Sequence, residues 1–516
     1  MFDLIIRGAR IVDGTGRPSH VGSVAIAGDR ISEVSPDPNP DWGGTVAIDA
    51  RGAALSPGFV DVHNHSDLSM FVDPWMRSAL LQGVTTVIVG NCGSSAWPPA
   101  GAPELASMVG APELEVTWRT FGEYLDAVAR CRPAVNVASL VGHGAIRQEV
   151  MGSSRDDPDG PGVDAMRRLA GDAIDEGAVG VSSGLIYVPG IYSRTEEVAA
   201  VASASASRRR IYASHIRGEG KMLFDALAEA AEIGDRAGVS VHVSHLKCET
   251  SHVWGQASRV LSFVHGSHDM TADQYPYVAW NSSFASLLPP WAPVEELAEI
   301  WRSSSRERLV QAVEHGEPEF QSSVDGVGWD SIFAVTGVPE GEAGCSVADI
   351  AAGRNVSPIE ALVQILLEDP EASCIGHAMS EDDVREILAD REVMVASDAS
   401  AMSPDGPLGS APVHPREYGT FPRVLGRYVR EGVLDLETAV RKMTSLPASR
   451  FGLEDRGVIE ERAIADLVLF EPGSIDDAAT FEHPQTFPEG IRAVVVAGKV
   501  VWDGSDVERA GRVLRG

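Results

Sequence analysis

Lysine is the scarcest charged residue in this chain, which has only four, at positions 221, 247, 442 and 499. Lys and Arg together number 42 against 74 Asp and Glu, so the formal net charge is −32 over 516 residues. No basic stretch offsets this acidic balance, which argues against nucleic-acid binding. The acidity does not imply a cationic substrate, because a uniformly acidic surface commonly serves solubility.

Cysteine and long apolar runs are also scarce. The five cysteines, at 92, 131, 248, 345 and 374, are odd in number and scattered, unlike a disulfide framework. No stretch of about 18 uninterrupted apolar residues is present, so no transmembrane helix is predicted. The opening residues lack the charged and apolar regions of a secretory signal. We expect a cytoplasmic globular protein that binds no membrane.

The middle of the chain alternates short apolar runs with amphipathic segments such as 222–237. The apolar runs are predicted strands and lie at 84–89, 135–140, 179–181, 211–213 and 239–243. Repeated β-then-α units, about eight of them, predict a parallel (β/α)8 TIM-like barrel. We assign this barrel to residues 58–454. Its seventh strand is ambiguous, because 268–275 and 372–377 both qualify.

Both ends of the chain have a different sequence pattern, in which alternating strand-like segments are separated by turns that contain Gly and Asp. Neither end is large enough to form a good core alone. We therefore predict that 1–57 and 455–516 pair into one small β-sandwich domain. Residues 285–370 lack the regular β/α alternation, and we predict that they form an inserted lid near the barrel mouth.

Side chains that can ligate metals recur where predicted strands end. The carboxyl ends of barrel strands meet at one mouth, so these side chains should converge there. In His63-Asn64-His65 the two imidazoles point the same way, since strand residues i and i+2 share a side. A buried free cysteine is usually inert, and a lone His-x-His is common. The prediction of a metal site therefore depends on the repeated occurrence of such side chains at strand ends. The others are Cys92, His215, His245 and Asp398.

Together these motifs resemble the amidohydrolase superfamily, and specifically the N-acyl-D-amino-acid deacylases (D-aminoacylases). The resemblance spans nearly the whole chain. The segments that carry it are DLIIRGARIVDGTG, PGFVDVHNHSD, GVTTVIVGNCG, YASHIRGEG, VSHLK, DQYPY, VASDAS and HPREYGTFPRVLGRY. GNCG and HPREYGTFPRVLG are distinctive of the deacylase branch, whereas His-x-His belongs to the whole superfamily.

The resemblance implies one tightly bound Zn²⁺ held by Cys92, His215 and His245. It implies a second, weaker metal site at His63, His65 and Asp398. Asp398 would be the general base that takes a proton from water and delivers it to the leaving amine. Many superfamily members bridge two metals with a carbamylated lysine on strand four. No lysine lies near 177–184 here, and Cys92 is the natural substitute ligand.

The substrate also needs a partner for its α-carboxylate. The resemblance implies three such residues, Lys247, Tyr277 and Arg416. Ser283 and Tyr192 are further candidate substrate contacts, and for Tyr192 the alternative is loop packing. For Arg416 the alternative is a surface ion pair, and the loop 399–415 before it is longer than the family pattern.

The predicted function is zinc-dependent hydrolysis of N-acyl-D-amino acids, a class of small-molecule substrate. Residues 278–301 contain no Lys or Arg, which favours an apolar D-amino acid if this stretch lines the pocket. The alternative is that its apolar side chains, Trp280, Phe284, Leu287, Leu288 and Trp291, only form the core of the lid. The other functions left open are cyclic-amide hydrolysis of the hydantoinase or dihydroorotase kind, dipeptide hydrolysis, and a metal-binding pseudoenzyme. The sequence does not determine the oligomeric state.

Overall fold

The computed structural model describes residues 1–108, 114–208, 210–406, 408–409 and 413–516, which form a mixed α/β structure. Its strands are β1 (Phe2–Ile11), β2 (His20–Ala27), β3 (Arg30–Ser35), β4 (Gly44–Asp49), β5 (Ala54–Pro57), β6 (Phe59–Asp61), β7 (Val84–Val89), β8 (Asn136–Ser139), β9 (Val141–Gly142), β10 (Gly180–Gly184), β11 (Ile211–His215), β12 (Ser240–Val243), β13 (Met270–Gln274), β14 (Ala279–Ser283), β15 (Ile332–Ala334), β16 (Ser373–His377), β17 (Val393–Val395), β18 (Leu467–Phe470), β19 (Ile491–Val496) and β20 (Lys499–Trp502).

The helices lie mainly between these strands. They are α1 (Ser69–Val72), α2 (Arg77–Leu80), α3 (Ala102–Met108), α4 (Phe121–Cys131), α5 (His143–Met151), α6 (Gly160–Glu176), α7 (Thr195–Ala202), α8 (Leu223–Ala237), α9 (Ala257–Gly266), α10 (Val294–Arg302), α11 (Arg306–His315), α12 (Val347–Arg354), α13 (Pro358–Glu368), α14 (Glu381–Ala389), α15 (Arg416–Arg423), α16 (Leu436–Met443) and α17 (Ser445–Arg450). Within the described ranges, none of them is long and apolar enough to cross a bilayer.

Parallel strands occupy the middle of the chain. β6, β7 and β8 form one sheet, and β9 to β13 followed by β17 form another. Only Leu140 separates β8 from β9, and its N–H donates to the Val89 oxygen at 2.9 Å. At the opposite edges, the Asp398 N–H donates to the His63 oxygen at 2.9 Å, and Asn64 forms a parallel bridge with Ala399. The two sheets therefore meet at both edges and surround a common interior.

Apolar side chains fill the interior between these strands. Val62, Ile88, Leu140 and Met394 belong to one buried cluster there. Phe451, just after α17, packs into the same cluster and is 2% exposed. Its ring lies 5.2 Å from the ring of His242. The loop after α17 therefore contributes to the core of the parallel strands.

Replacing Phe451 by alanine should lower the free energy of unfolding by about 3–5 kcal/mol, because it removes a buried ring and leaves a cavity. Phe481→Ala is the matched control, since that ring is 37% exposed. We expect the control to cost about 1 kcal/mol or less. Chemical denaturation of the two variants measures both values, and equal losses would contradict the burial of Phe451 in the core.

Both ends of the chain contribute to one sheet. Its strand order is β20-β19-β18-β5-β1-β2-β3, with β4 beside β1. The Ile31 N–H donates to the Ala463 oxygen at 2.9 Å, and the Ala465 N–H donates to the Asp29 oxygen at 2.8 Å. β3 therefore returns to the segment that precedes β18, and the sheet wraps around an apolar core that includes Leu55.

The two candidates for the seventh strand have different partners. Met270–Gln274 lies between β12 and β17 in the parallel set. Ser373–His377 instead pairs antiparallel with β14 and β15 in a separate small sheet. The seventh parallel strand is therefore 270–274. The segment 275–392 that follows it holds the small sheet and helices α10 to α14.

Candidate metal centre

Three side chains from different strand ends converge at one edge of the parallel strands. Cys92 follows β7, His215 ends β11 and His245 follows β12. The Cys92 Sγ lies 3.6 Å from His215 Nδ1 and 3.6 Å from His245 Nε2. A tetrahedral zinc ion, with Zn–S of about 2.3 Å and Zn–N of about 2.0–2.1 Å, holds sulfur and nitrogen about 3.6 Å apart. This donor set therefore fits zinc in both chemistry and spacing.

The Gly-Asn-Cys-Gly motif places Cys92 in a tight turn. A Cβ on Gly90 would lie 2.2 Å from the Leu140 oxygen, and a Cβ on Gly93 would lie 2.7 Å from the Gly184 nitrogen. Cys92 itself has φ 52°, in the left-handed region that costs non-glycine residues about 1–3 kcal/mol. His245 and Asp398 share this conformation, with φ 36° and 53°. Three of the donor residues thus adopt a strained backbone conformation.

A second group of donors adjoins the first. The His65 Nε2 lies 3.1 Å and the His63 Nε2 lies 3.4 Å from Asp398 Oδ1. The His63 Nε2 is also 3.2 Å from the Cys92 Sγ. The four donor atoms of His63, His65, Cys92 and Asp398 all lie within 4.8 Å of one another. The cysteine sulfur is therefore shared by both groups.

The charges within the cluster favour the ionised forms of Cys92 and Asp398. Burial raises the pKa of the Cys92 thiol, but the adjacent His63, His215 and His245 outweigh it and hold that pKa well below its usual value. Burial likewise raises the pKa of Asp398. The Arg416 guanidinium and the neighbouring imidazoles outweigh this and hold the Asp398 pKa well below its usual range. A thiolate and a carboxylate are the forms that bind metal and accept protons.

Asp61 fixes the backbone beside Asp398. Its Oδ1 accepts the Ser397 N–H at 2.9 Å, and its Oδ2 accepts the Ser397 hydroxyl at 2.5 Å and the Asn64 side-chain amide at 2.9 Å. Asp61 ends β6 and Ser397 follows β17. These bonds join the first and last parallel strands at the point where His63, His65 and Asp398 emerge.

Glu219, which was not predicted as a site residue, contacts both histidines of the first donor group. Its Oε1 lies 3.1 Å from His245 Nδ1, and its Oε2 lies 3.5 Å from His215 Nε2. Each imidazole thus turns one nitrogen to Cys92 and the other to this carboxylate. Carboxylate partners of this kind fix ring orientation and raise the basicity of metal-binding histidines. The available signal was a carboxylate four residues after His215 in YASHIRGEG.

Asp273, in β13, is a second carboxylate that sequence reasoning missed. Its Oδ1 accepts the backbone N–H of His245 at 2.8 Å. Its Oδ2 lies 2.8 Å from His242 Nε2 and 3.8 Å from His63 Nδ1. Asp273 therefore anchors the backbone of His245 and lies close to the His63 ring.

The predicted carboxylate-binding cations lie next to the donors, and each is paired with a protein carboxylate. Arg416 Nη1 is 2.7 Å from Asp398 Oδ2, and Lys247 Nζ donates to Glu219 Oε1 at 2.5 Å. Both cations also approach the ring of Tyr275, at 5.1 Å and 5.5 Å from its centroid. The Tyr275 hydroxyl is buried and has no hydrogen-bond partner among the described residues. In the 399–415 loop before Arg416, residues 407 and 410–412 lie outside the described residues.

The side chains of three other candidate substrate contacts form hydrogen bonds to backbone groups. The Tyr277 hydroxyl donates to the Pro415 oxygen at 3.3 Å. The Ser283 hydroxyl accepts the Ala285 N–H at 3.1 Å, and the Tyr192 hydroxyl donates to the Pro290 oxygen at 3.0 Å. Tyr187 instead lies edge-on to His215, with ring centroids 4.9 Å apart. Tyr187 and Tyr275 therefore lie beside the donor histidines, and Tyr277 lines one cavity together with His245, Lys247 and Tyr275. Ser283 and Tyr192 stay predicted substrate contacts.

The apolar side chains of β14 and of the segment after it contribute to the core. Trp280, Phe284, Leu287 and Leu288 are buried in the same apolar cluster as Leu297 and Leu362, which lie in α10 and α13. Trp291 lies nearer the surface, where its Nε1 donates to Glu317 at 2.5 Å and Arg308 stacks 4.2 Å from its ring centroid. These side chains therefore stabilise the segment between β13 and β17.

Comparison with known proteins identifies the family of this chain. A family model described as "Amidohydrolase family" matches residues 46–502. The chain belongs to the amidohydrolase family. It is also 34% identical to D-aminoacylase of Alcaligenes xylosoxydans xylosoxydans over 520 residues, which covers 99% of this chain and 97% of that protein.

Solved structures of D-aminoacylases and related deacylases are also similar to this chain. One is a D-aminoacylase described as having a binuclear metal center, with one-metal activation and second-metal attenuation; it is 34% identical with a TM-score of 0.83 and full coverage of both chains. Another is N-acyl-D-glutamate deacylase from Bordetella bronchiseptica, complexed with zinc and a phosphonate that mimics the tetrahedral intermediate. It is 32% identical with a TM-score of 0.82, again with full coverage of both chains.

Proposed function

We propose that this amidohydrolase hydrolyses N-acyl-D-amino acids to a carboxylate and a free D-amino acid, with zinc held by Cys92, His215 and His245. The observation that carries the proposal is the 3.6 Å spacing of the Cys92 sulfur from both imidazole nitrogens, which is that of tetrahedral zinc. The full-length similarity to D-aminoacylase supports the choice of substrate class. The parallel strands form a (β/α)8 barrel in this proposal, and 285–370 forms a lid over its mouth.

Two metal sites of unequal strength follow from the donor sets. Cys92, His215 and His245 form the tight site, because a thiolate and two imidazoles are strong zinc ligands. His63, His65 and Asp398 form the weaker site. When bound, zinc supplies Lewis-acid polarisation of the amide carbonyl and lowers the pKa of the attacking water.

Asp398 moves the proton. Its ionised carboxylate accepts a proton from the attacking water and transfers it to the amine that leaves. Oδ1 is the atom assigned to this step, because it faces His63 and His65 while Oδ2 is bound by Arg416. Arg416 keeps the carboxylate ionised and ready to accept.

Lys247 and Arg416 bind the substrate α-carboxylate beside the Tyr275 hydroxyl. Both cations approach the Tyr275 ring, and the buried Tyr275 hydroxyl has no hydrogen-bond partner among the described residues. Apolar substrate side chains are preferred, because 278–301 supplies no Lys or Arg to pair with an acidic one, although Trp280, Phe284, Leu287 and Leu288 themselves belong to the core. Tyr187, packed against His215, forms another wall of the same pocket.

Arg416→Gln should lower kcat/KM for N-acetyl-D-leucine by about 10–100-fold, mainly through KM, because a hydrogen bond between charged groups is lost. Hydrolysis of N-acetyl-D-leucinamide, which lacks the carboxylate, should change much less. Steady-state kinetics on the two substrates measures the difference. Equal losses on both would show that Arg416 acts on Asp398 and not on the substrate.

The reaction itself is tested with zinc-loaded protein and three substrate sets: N-acetyl-D-amino acids, N-acetyl-L-amino acids and hydantoins. We expect turnover of the D set, with leucine, methionine or phenylalanine derivatives ahead of aspartate and glutamate. Turnover of hydantoins without any N-acyl-D substrate would overturn the proposal in favour of cyclic-amide hydrolysis. Bound zinc with no turnover of any set would indicate a pseudoenzyme.

A further inference from the structure

The segment between α11 and β15 reaches the loop that carries Glu219. Gln321 lies in this segment, and its Oε1 accepts the N–H of Gly220 at 2.7 Å and of Met222 at 3.3 Å. Its Nε2 donates to Glu249 Oε2 at 2.8 Å. One side-chain amide thus joins the loop after β11 to the loop after β12.

The fit around this amide is close. A Cβ on Gly220 would lie 2.8 Å from Gln321 Nε2, and a Cβ on Gly218 would lie 3.0 Å from its Oε1. Glycines on both sides of Glu219 therefore leave room for the Gln321 side chain against the backbone. The Glu249 N–H also donates to the Glu219 oxygen at 2.8 Å, so the two loops are bonded to each other beneath the amide.

Other contacts hold the same segment in place. Lys221 pairs with Asp325, and His252 Nε2 lies 3.2 Å from Asp325 Oδ1. The Ser251 hydroxyl donates to the Gly326 oxygen at 2.7 Å. These contacts attach residues 321–326 to both loops. Gln321 is distinct in that it binds the residue next to Glu219.

We propose that Gln321 is a positioning residue for the zinc ligands and acts through Glu219. Glu219 reaches His215 and His245 from the side opposite Cys92, so its position sets the orientation of both rings. The Gln321 amide fixes the backbone on the carboxyl side of Glu219 and thereby fixes that carboxylate. The inference rests on the zinc site proposed above. It gives the segment after α11 a role in metal retention at a site that it does not itself line.

The test is zinc affinity, measured by competition with a chromophoric chelator and zinc alone as the ligand. Gln321→Met, which keeps the length of the side chain and removes its hydrogen bonds, should weaken zinc binding by about tenfold, at the lower end for outer partners of zinc ligands. Gln364→Met is the matched control. It makes the same change in α13, where Gln364 contacts Arg354, and should leave zinc affinity unchanged.

A double mutant separates positioning from general loosening. Glu219→Gln alone should weaken zinc binding by about 10–100-fold. If Gln321 acts through Glu219, adding Gln321→Met to that variant should cause little further loss. Multiplying losses would overturn the proposal, because Gln321 would then act independently of Glu219.

Gly220→Ala disrupts the contact between Gly220 and the Gln321 amide while it keeps the Gln321 side chain. It should reproduce the zinc loss of Gln321→Met, so the test stands even if one variant folds poorly. Unchanged zinc affinity in Gln321→Met or Gly220→Ala, with zinc bound by the wild-type chain, would overturn the positioning role alone. A wild-type chain that binds no zinc would overturn the proposed metal centre and this inference together.

Discussion

Replacement of Asp398 by asparagine should lower kcat for N-acetyl-D-leucine by about 10²–10⁴-fold, the range expected when a general acid–base residue is lost. Asparagine has nearly the same shape but cannot accept the proton at Oδ1. The tight zinc site should persist, because Cys92, His215 and His245 are unchanged. Steady-state kinetics and metal analysis of the same preparation give the two readings.

Asp382→Asn provides the control for this substitution. Asp382 is exposed near the start of α14, so the same chemical change there should leave kcat within about twofold of the wild-type value. Unchanged activity in Asp398→Asn would refute the assignment of the base. Loss of zinc together with activity would show that Asp398 acts chiefly as a ligand.

Cys92→Ser should weaken zinc binding by more than about 100-fold, because even outer partners of zinc ligands contribute 10–100-fold. A serine hydroxyl is not ionised at neutral pH and is a poor substitute for a soft thiolate. The substitution also removes the sulfur that both donor groups share. Isothermal titration with zinc, followed by assay at saturating and at stoichiometric zinc, measures the effect on binding and activity.

Cys345→Ser is the matched control, because that thiol is half-buried in the segment after β15 and lies 3.7 Å from the Gly341 oxygen. It should bind zinc as tightly as the wild type. Full zinc affinity in Cys92→Ser would rule out a cysteine ligand and leave the histidines and Asp398 as the metal site.

Much of the donor set was predictable because its geometry follows from strand ends. Parallel strands that close on themselves carry their carboxyl ends to one mouth, so Cys92, His215 and His245 were expected to meet although they are far apart in sequence. The alternating polarity at both chain ends likewise predicted strands in 1–57 and 455–516. These features depend on periodicity and order, which a sequence displays directly.

The positions of other site residues depend on the course of the loops, which the sequence pattern does not predict. Tyr275 and Tyr277 would face the same side of a continued strand, but the Tyr277 N–H donates to the Tyr275 oxygen at 3.0 Å. This tight turn ends the strand and sends Tyr277 toward Pro415. Glu219 lies in an irregular loop, where no periodicity predicts its contact with two histidines. The seventh strand stayed ambiguous because both candidate segments are short and only their strand partners distinguish them.

The two cations beside Tyr275 limit the size of the substrate that the site accepts. Lys247 and Arg416 are two cations held in place by Glu219 and Asp398, and in the proposed function they bind a carboxylate next to the amide that is cut. Within a polypeptide, every position except the last presents another amide there instead. We therefore expect the enzyme to act on single acylated amino acids released from larger molecules, and to leave the interior of protein chains intact.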